Sequence, residues 1–165
     1  SWANDYVENR WSNNYTGYML SKGYMSLNEN DNYHFNGREP ITRGELATVF
    51  VKAKNLKLKK DSTFNINLKD IVGKSYEDDV KILISNGYID GFEDNTYRGE
   101  KYLRRCEMTK LICFMEDRVI KNTELVTLEM KESLKEKYHD LVVNEWYMPY
   151  VYELTVKHDY SLLHK

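Results

Sequence analysis

Two arginines recur at one point of a repeated pattern. Arg43 lies in Ile41-Thr42-Arg43-Gly44-Glu45 and Arg105 in Leu103-Arg104-Arg105-Cys106-Glu107, 62 residues on, and each stretch opens an apolar run. A guanidinium offers two parallel donors to a carboxylate. A helix start adds positive partial charge and free N–H groups at the same place. An arginine one residue inside a helix is therefore suited to holding an anion, although it can equally pair with a neighbouring glutamate. Other chemistry has less footing. His34, His139, His158 and His164 are scattered, with no spacing of a metal-binding helix, and no nucleophile elbow, phosphate-cradling loop or dinucleotide fingerprint is present. Cys106 and Cys113 are seven apart, about 10 Å along a helix and beyond disulfide reach, so they read as small core residues. Acidic residues are plentiful, but sequence alone does not bring two of them together. No catalytic residue, metal or cofactor is assigned, and the chain is read as non-enzymatic.

The elements that must position these arginines are legible as repeats. Six residues before each opening sits an aromatic, Phe35 or Tyr97, and two residues past it a glycine, Gly37 or Gly99. Behind each loop a first helix is expected to end at a glycine, Gly23 or Gly87, where a left-handed residue terminates the turn. Trp11, Ser75 and Trp146 each stand twelve residues before Gly23, Gly87 and His158, and Asp5, Asp70 and Asp140 stand five or six before them. Apolar residues follow at helical offsets: Met19, then Val80 and Leu83, then Val151 and Leu154. The pattern predicts three first helices but only two second helices, and landmarks at a fixed period of this length mean stacked supersecondary units.

Local chemistry sharpens the boundaries. Thr42 to Glu45 reads as a capping box, with Pro40 upstream favouring extended chain. The second helix of copy one presents Leu46, Val49, Phe50 and Ala53 on one stripe, and that of copy two Met108, Leu111, Ile112 and Met115. Arg104 at the second cap position cannot accept a backbone hydrogen bond, so that helix should start less cleanly. Within 116–138, Leu125, Leu128, Met130 and Leu134 predict a further helix running into Lys135-Glu136-Lys137, and Lys57-Leu58-Lys59-Lys60-Asp61 reads as a solvated connector.

Bulk properties exclude several classes. At 165 residues with 41% hydrophobic content the chain can build its own core, and no stretch approaches the apolar length of a membrane span. A net charge of −2 without a basic stripe argues against nucleic acid. No signal peptide is visible ahead of Ser1, so a processed or trimmed chain is expected.

Taken together, these motifs resemble the S-layer homology family. The clearest matches are Phe35-Asn36-Gly37-Arg38-Glu39-Pro40-Ile41-Thr42-Arg43-Gly44-Glu45-Leu46-Ala47 and Gly87-Tyr88-Ile89-Asp90-Gly91-Phe92-Glu93-Asp94-Asn95-Thr96-Tyr97. The resemblance implies a mostly α fold of helix–loop–helix units in a pseudo-threefold arrangement. It implies one domain over 1–165, with repeat one at 1–60, repeat two at 61–120, and a linker helix and partial repeat three at 121–165. It further implies non-covalent attachment of an exported bacterial surface protein to an anionic cell-wall polysaccharide, often one carrying pyruvate ketals. The motif arginine of the family meets the anionic sugar in a groove between repeats. That role would fall on Arg43 and Arg105, with Gly91 and Asp94 shaping the groove wall and Trp11 offering a flat face to a sugar ring. Trp11 and Trp146 recur at a fixed helical position that suits packing better than a ligand platform, and Glu45 and Glu107 suit helix caps.

The departures define the alternative. Gly44 stands where the family has alanine, which should weaken the helix start by up to about 1 kcal/mol. Copy two lacks the motif threonine, and copy three lacks a second helix. The missing element leaves one groove absent or completed by another protein or a second chain. The alternative function is accordingly a protein-interaction module that no longer binds glycan.

Overall fold

A computed structural model describes residues 3–59 and 67–164, and these are mostly helical. The helices are α1 (Asn13–Ser21), α2 (Arg43–Lys54), α3 (Glu77–Ser85), α4 (Arg105–Met115), α5 (Leu128–Lys137) and α6 (Met148–Thr155). Among the described residues there is no strand, only two isolated β-bridges and short 3-10 turns. Lys60 and Asp61 of the expected connector lie outside the described residues. The chain divides into two compact units, Ser1–Tyr102 and Leu103–Lys165.

The helices keep the register of the repeats. α1, α3 and α6 each begin two residues after Trp11, Ser75 and Trp146, and α2 and α4 begin 62 residues apart. Gly23 (φ 67°) and Gly87 (φ 77°) take the left-handed conformation just past α1 and α3, where a side chain would be strained. Thr42 caps α2 by accepting from the Glu45 N–H at 3.1 Å, while Glu45 accepts from the Thr42 N–H at 2.8 Å. At α4 half of that box survives: Glu107 accepts from the Arg104 N–H at 2.9 Å, and the Arg104 side chain gives no cap bond. The expected linker helix is α5, opened by Thr127, whose hydroxyl accepts from the Met130 N–H.

In the N-terminal unit α2 packs on α3. Leu46, Val49 and Phe50 of the anticipated stripe are buried, and Val80 and Leu83 meet them from α3's side of the core. In the C-terminal unit α6 packs on both α4 and α5. Here the anticipated α4 stripe is only half-buried, and Cys113 is the buried residue of that helix. Burial, with the Glu153 charge adding to it, pushes the Cys113 thiol up to about 12, so it stays protonated as an inert core group. Both cysteines are free.

The repeated aspartates tie each loop to the start of its repeat. Asp5 accepts from the Phe35 and Asn36 N–H groups at 2.8 and 3.0 Å. Asp70 accepts from the Tyr97 and Arg98 N–H groups at 2.8 and 2.7 Å. In both copies the second donor residue has positive φ, 57° at Asn36 and 59° at Arg98, which turns the two successive N–H groups towards one carboxylate. The Phe35 N–H, followed by that of Asn36, holds the Asp5 carboxyl below the usual range against the opposing effect of burial. A carboxylate depressed on folding stabilises above its unfolded pKa, about 3.9, and loses that contribution as pH falls through the lower folded value. Asp5→Asn is therefore expected to flatten the acid side of the stability profile below about pH 4, read by denaturant unfolding at stepped pH. An unchanged acid limb would contradict this role.

Candidate ligand-binding site

Arg43 is the first residue of α2, and the start of that helix is fastened to the loop of repeat two. The Arg43 N–H donates to Lys101 O and the Gly44 N–H to Gly99 O, both at 2.9 Å, beside an antiparallel bridge between Thr42 and Tyr102. With the Thr42 and Glu45 N–H groups taken by the capping box, the first donors of α2 are all engaged. This corrects the expectation of free N–H groups at this helix start. The anion-holding capacity of the position rests on the side chain.

That side chain is held against aromatic rings. Its Nε donates to Tyr97 O at 3.0 Å, and the guanidinium carbon lies 4.9 Å from the Tyr97 ring centre and 5.1 Å from that of Phe92. Tyr97 is buried and its hydroxyl donates to Arg43 O at 2.9 Å, so the ring and the arginine fix each other. A second guanidinium, Arg98, lies 3.8 Å from the centre of the Phe92 ring. The result is two cations on one aromatic surface, an arrangement stabilised by the ring quadrupole.

Asp94 forms the turn beneath them. Its carboxylate accepts from the Thr96 hydroxyl and N–H and pairs with Arg98 at 3.3 Å. The Thr96 hydroxyl first, and Arg98 after it, hold this carboxyl below the usual carboxylate range. Gly91 lies where a Cβ would press on Leu68 and approach Thr96 O, so the tight return of the 92–96 turn requires it. Arg43, Gly91 and Asp94 are thus joined through Phe92 and Arg98. Arg105 is exposed at the start of α4 in the C-terminal unit. Trp11 is 84% exposed, and its ring contact is with Tyr15, not with the Arg43 cluster.

Sequence reasoning missed Phe92, Arg98 and Tyr76. Tyr76 is wedged between Gly44 and Gly99: a Cβ on either glycine would overlap its ring. Burial, then a hydrogen bond donated to Glu100, pushes its phenol up to about 12. The glycine in the alanine position of the motif thus makes room for a neighbouring ring. A cleft of about 820 Å³ opens on the other side of α2, past Gly44, Thr48 and Lys52. Its acidic lining, Glu29, Glu39 and Glu45, disfavours an anion there, and Arg43 is not among its walls.

The C-terminal unit holds a second concentration of charge. Glu153 of α6 is fully buried; Arg118 closes on its Oε1 and His158 Nε2 stands 2.8 Å from its Oε2. His164 Nε2 lies 3.7 Å from Oε1. Each histidine turns Nδ1 to a backbone carbonyl at 2.7 Å, Val156 O and Tyr160 O respectively. Two of the four scattered histidines therefore converge on one carboxylate, although no metal-holding group of His, Cys, Asp and Glu exists among the described residues. The cluster serves to pin the chain after α6 back onto that helix.

Comparison with known proteins agrees with the repeats. The model of the S-layer homology domain family matches residues 67–109, which run from Asp70's approach through the 92–96 turn into α4. The chain is also 30% identical over 124 residues, 74% of its length, to a cellulosome-anchoring protein of Acetivibrio thermocellus. It spans about a quarter (26%) of that relative. No described helix is long and apolar enough to cross a membrane. With its helices in repeat register, the chain is similar to the S-layer homology domain over its second repeat, residues 67–109.

Proposed function

We propose that this module anchors a surface protein at the bacterial cell wall by holding an anionic wall polysaccharide without a covalent bond. The observation that carries the reading is the pair of guanidiniums, Arg43 and Arg98, set on the Phe92 and Tyr97 rings at the fastened start of α2. An acidic sugar substituent, such as a pyruvate ketal, supplies the carboxylate that such a pair recognises, and the flat rings suit the apolar face of a pyranose. The family match and the anchoring function in the relative's name support the same direction. Asp94 and Gly91 act as turn-formers that hold Arg98 and Phe92 in place, and Arg105 occupies the corresponding helix position in the next copy.

The ligand class is tested by co-sedimentation of the chain with purified Gram-positive walls, native and stripped of secondary polysaccharide. Retention on native walls alone is expected, declining as salt is raised because the recognition is ionic. Equal retention on stripped walls, or none on either, would remove the glycan and leave the protein-interaction reading.

A further inference from the structure

The sequence contains Asn-Gly twice, at Asn36-Gly37 and Asn86-Gly87. Asparagine is a chemically labile residue. It is most so before glycine, whose backbone nitrogen can swing onto the preceding Cγ without side-chain hindrance. The attack needs the Asn–Gly peptide to rotate about the asparagine Cα–C bond, and the side-chain amide to be released. The fold decides which of the two pairs can do this.

Asn86-Gly87 is locked at the end of α3. Asn86 Nδ2 donates to Ile82 O at 2.8 Å and to Lys57 O at 2.9 Å. The Gly87 N–H, which would supply the nucleophile, donates to Ile84 O at 2.9 Å, and the Tyr88 N–H donates to Leu83 O at 3.0 Å. Rotating the Asn86–Gly87 peptide would undo the C-terminus of the helix. Asn36-Gly37 lies in the loop before α2. Gly37 is exposed, and its N–H has no hydrogen-bond partner among the described residues. Rotation there breaks one main-chain bond, from the Glu39 N–H to Asn36 O at 2.9 Å. Asn36 Nδ2 is held by a single exposed contact, to Asp31 Oδ2 at 2.7 Å. The Asp5 clamp on the Phe35 and Asn36 N–H groups precedes the rotating bond and is left intact.

We propose that Asn36 is a site of spontaneous deamidation, with water as co-reactant, that loosens the loop feeding α2, while the fold protects Asn86. Gly37 N gives up its proton and bonds to Asn36 Cγ. The Cγ–Nδ2 bond breaks, and Nδ2 takes up a proton and leaves as ammonia. Water then adds to either carbonyl of the resulting succinimide and reopens it, giving aspartate or isoaspartate with no change of oxidation state. The aspartate product sets a carboxylate against Asp31, where the amide now donates. The isoaspartate product adds a methylene to the main chain and takes Asn36 O, the acceptor of the Glu39 N–H, off it. Either product loosens the 36–39 turn, which lines the acidic cleft beside α2. The proposal stands apart from the glycan reading, since the Arg43 cluster plays no part in it.

The test ages the full chain in warm, mildly alkaline buffer, folded and in guanidinium, and maps both samples by peptide mass spectrometry against a zero-time digest. Isoaspartate is scored with an isoaspartyl methyltransferase. In the folded chain Asn36 is expected to convert at least tenfold faster than Asn86, giving both products, and in guanidinium the two rates should converge. Brief trypsin treatment of the aged folded chain should cut after the exposed Arg38 in proportion to the converted fraction. An Asn36 amide that persists in the folded chain while converting in guanidinium would overturn the proposal. So would equal rates at Asn36 and Asn86 in the folded chain, or aspartate without isoaspartate, which excludes the succinimide. Conversion with no gain in cleavage after Arg38 would overturn the loosening.

Discussion

Replacing Glu153 by alanine is expected to destabilise the C-terminal unit by roughly 3–5 kcal/mol, the usual cost of removing one partner from a buried ion pair. The carboxylate has no exposed side-chain surface and is the common partner of Arg118, His158 and His164. Without it, the His158 side chain, 5% exposed, is left with Nε2 facing a void. Both ring nitrogens of His158 face oxygen atoms, Val156 O at 2.7 Å and Glu153 Oε2 at 2.8 Å. Glu153→Gln should cost much less, because the amide can donate to Nε2 while Nδ1 still donates to Val156 O. Urea unfolding followed at Trp146 measures both. A loss under about 1 kcal/mol for alanine, or equal losses for the two variants, would mean that the cluster does not hold the 156–164 segment onto α6.

Gly44→Ala is expected to destabilise the N-terminal unit by about 1–3 kcal/mol, opposite in sign to helix propensity, which favours alanine by up to about 1 kcal/mol. The added methyl would overlap the Tyr76 ring, which is 6% exposed and confined on its far side by Gly99. The ring cannot retreat, so α2 must move away from the 99–101 loop. That movement breaks the Arg43 N–H to Lys101 O bond and shifts the guanidinium, so wall binding should fall together with stability. Tyr76→Ala alone should cost about 3–5 kcal/mol as a cavity. In its presence Gly44→Ala should become neutral or favourable, a non-additivity expected only of residues in contact. A stabilised Gly44→Ala variant would show that the wedge is not tight.

Much of the fold was legible because it depends on local signals that repeat. The glycines after α1 and α3, the Thr42–Glu45 box and the periodic apolar residues each act within one or two turns. They marked the starts of α2 and α4 and the ends of α1 and α3, and α5 followed from the 116–138 periodicity. The site was less legible because its contacts are non-local. Nothing near Arg43 in sequence announces that the carbonyls of Gly99 and Lys101 take the helix N–H groups, or that Tyr76 accounts for Gly44. Arg98 carried a faint signal: it follows Tyr97 as Asn36 follows Phe35, and both turn at positive φ. Its side-chain direction, onto Phe92, depends on the 92–96 turn. The fixed helical position of Trp11 favoured packing over a sugar face, yet the residue is 84% exposed, with Tyr15 as its ring partner. His158 and His164 looked unrelated because the chain reverses between α6 and Tyr160 to bring them to Glu153.

The most direct test of the central claim compares retention on native walls of the unmodified chain, Arg43→Ala and Arg98→Ala, at low and moderate salt. Each variant is expected to fold, Arg43→Ala to lose at least tenfold in wall affinity, and both variants to flatten the salt dependence. Full retention by a folded Arg43→Ala chain would contradict the claim, because the guanidinium pair on Phe92 would then not be the contact that holds the wall.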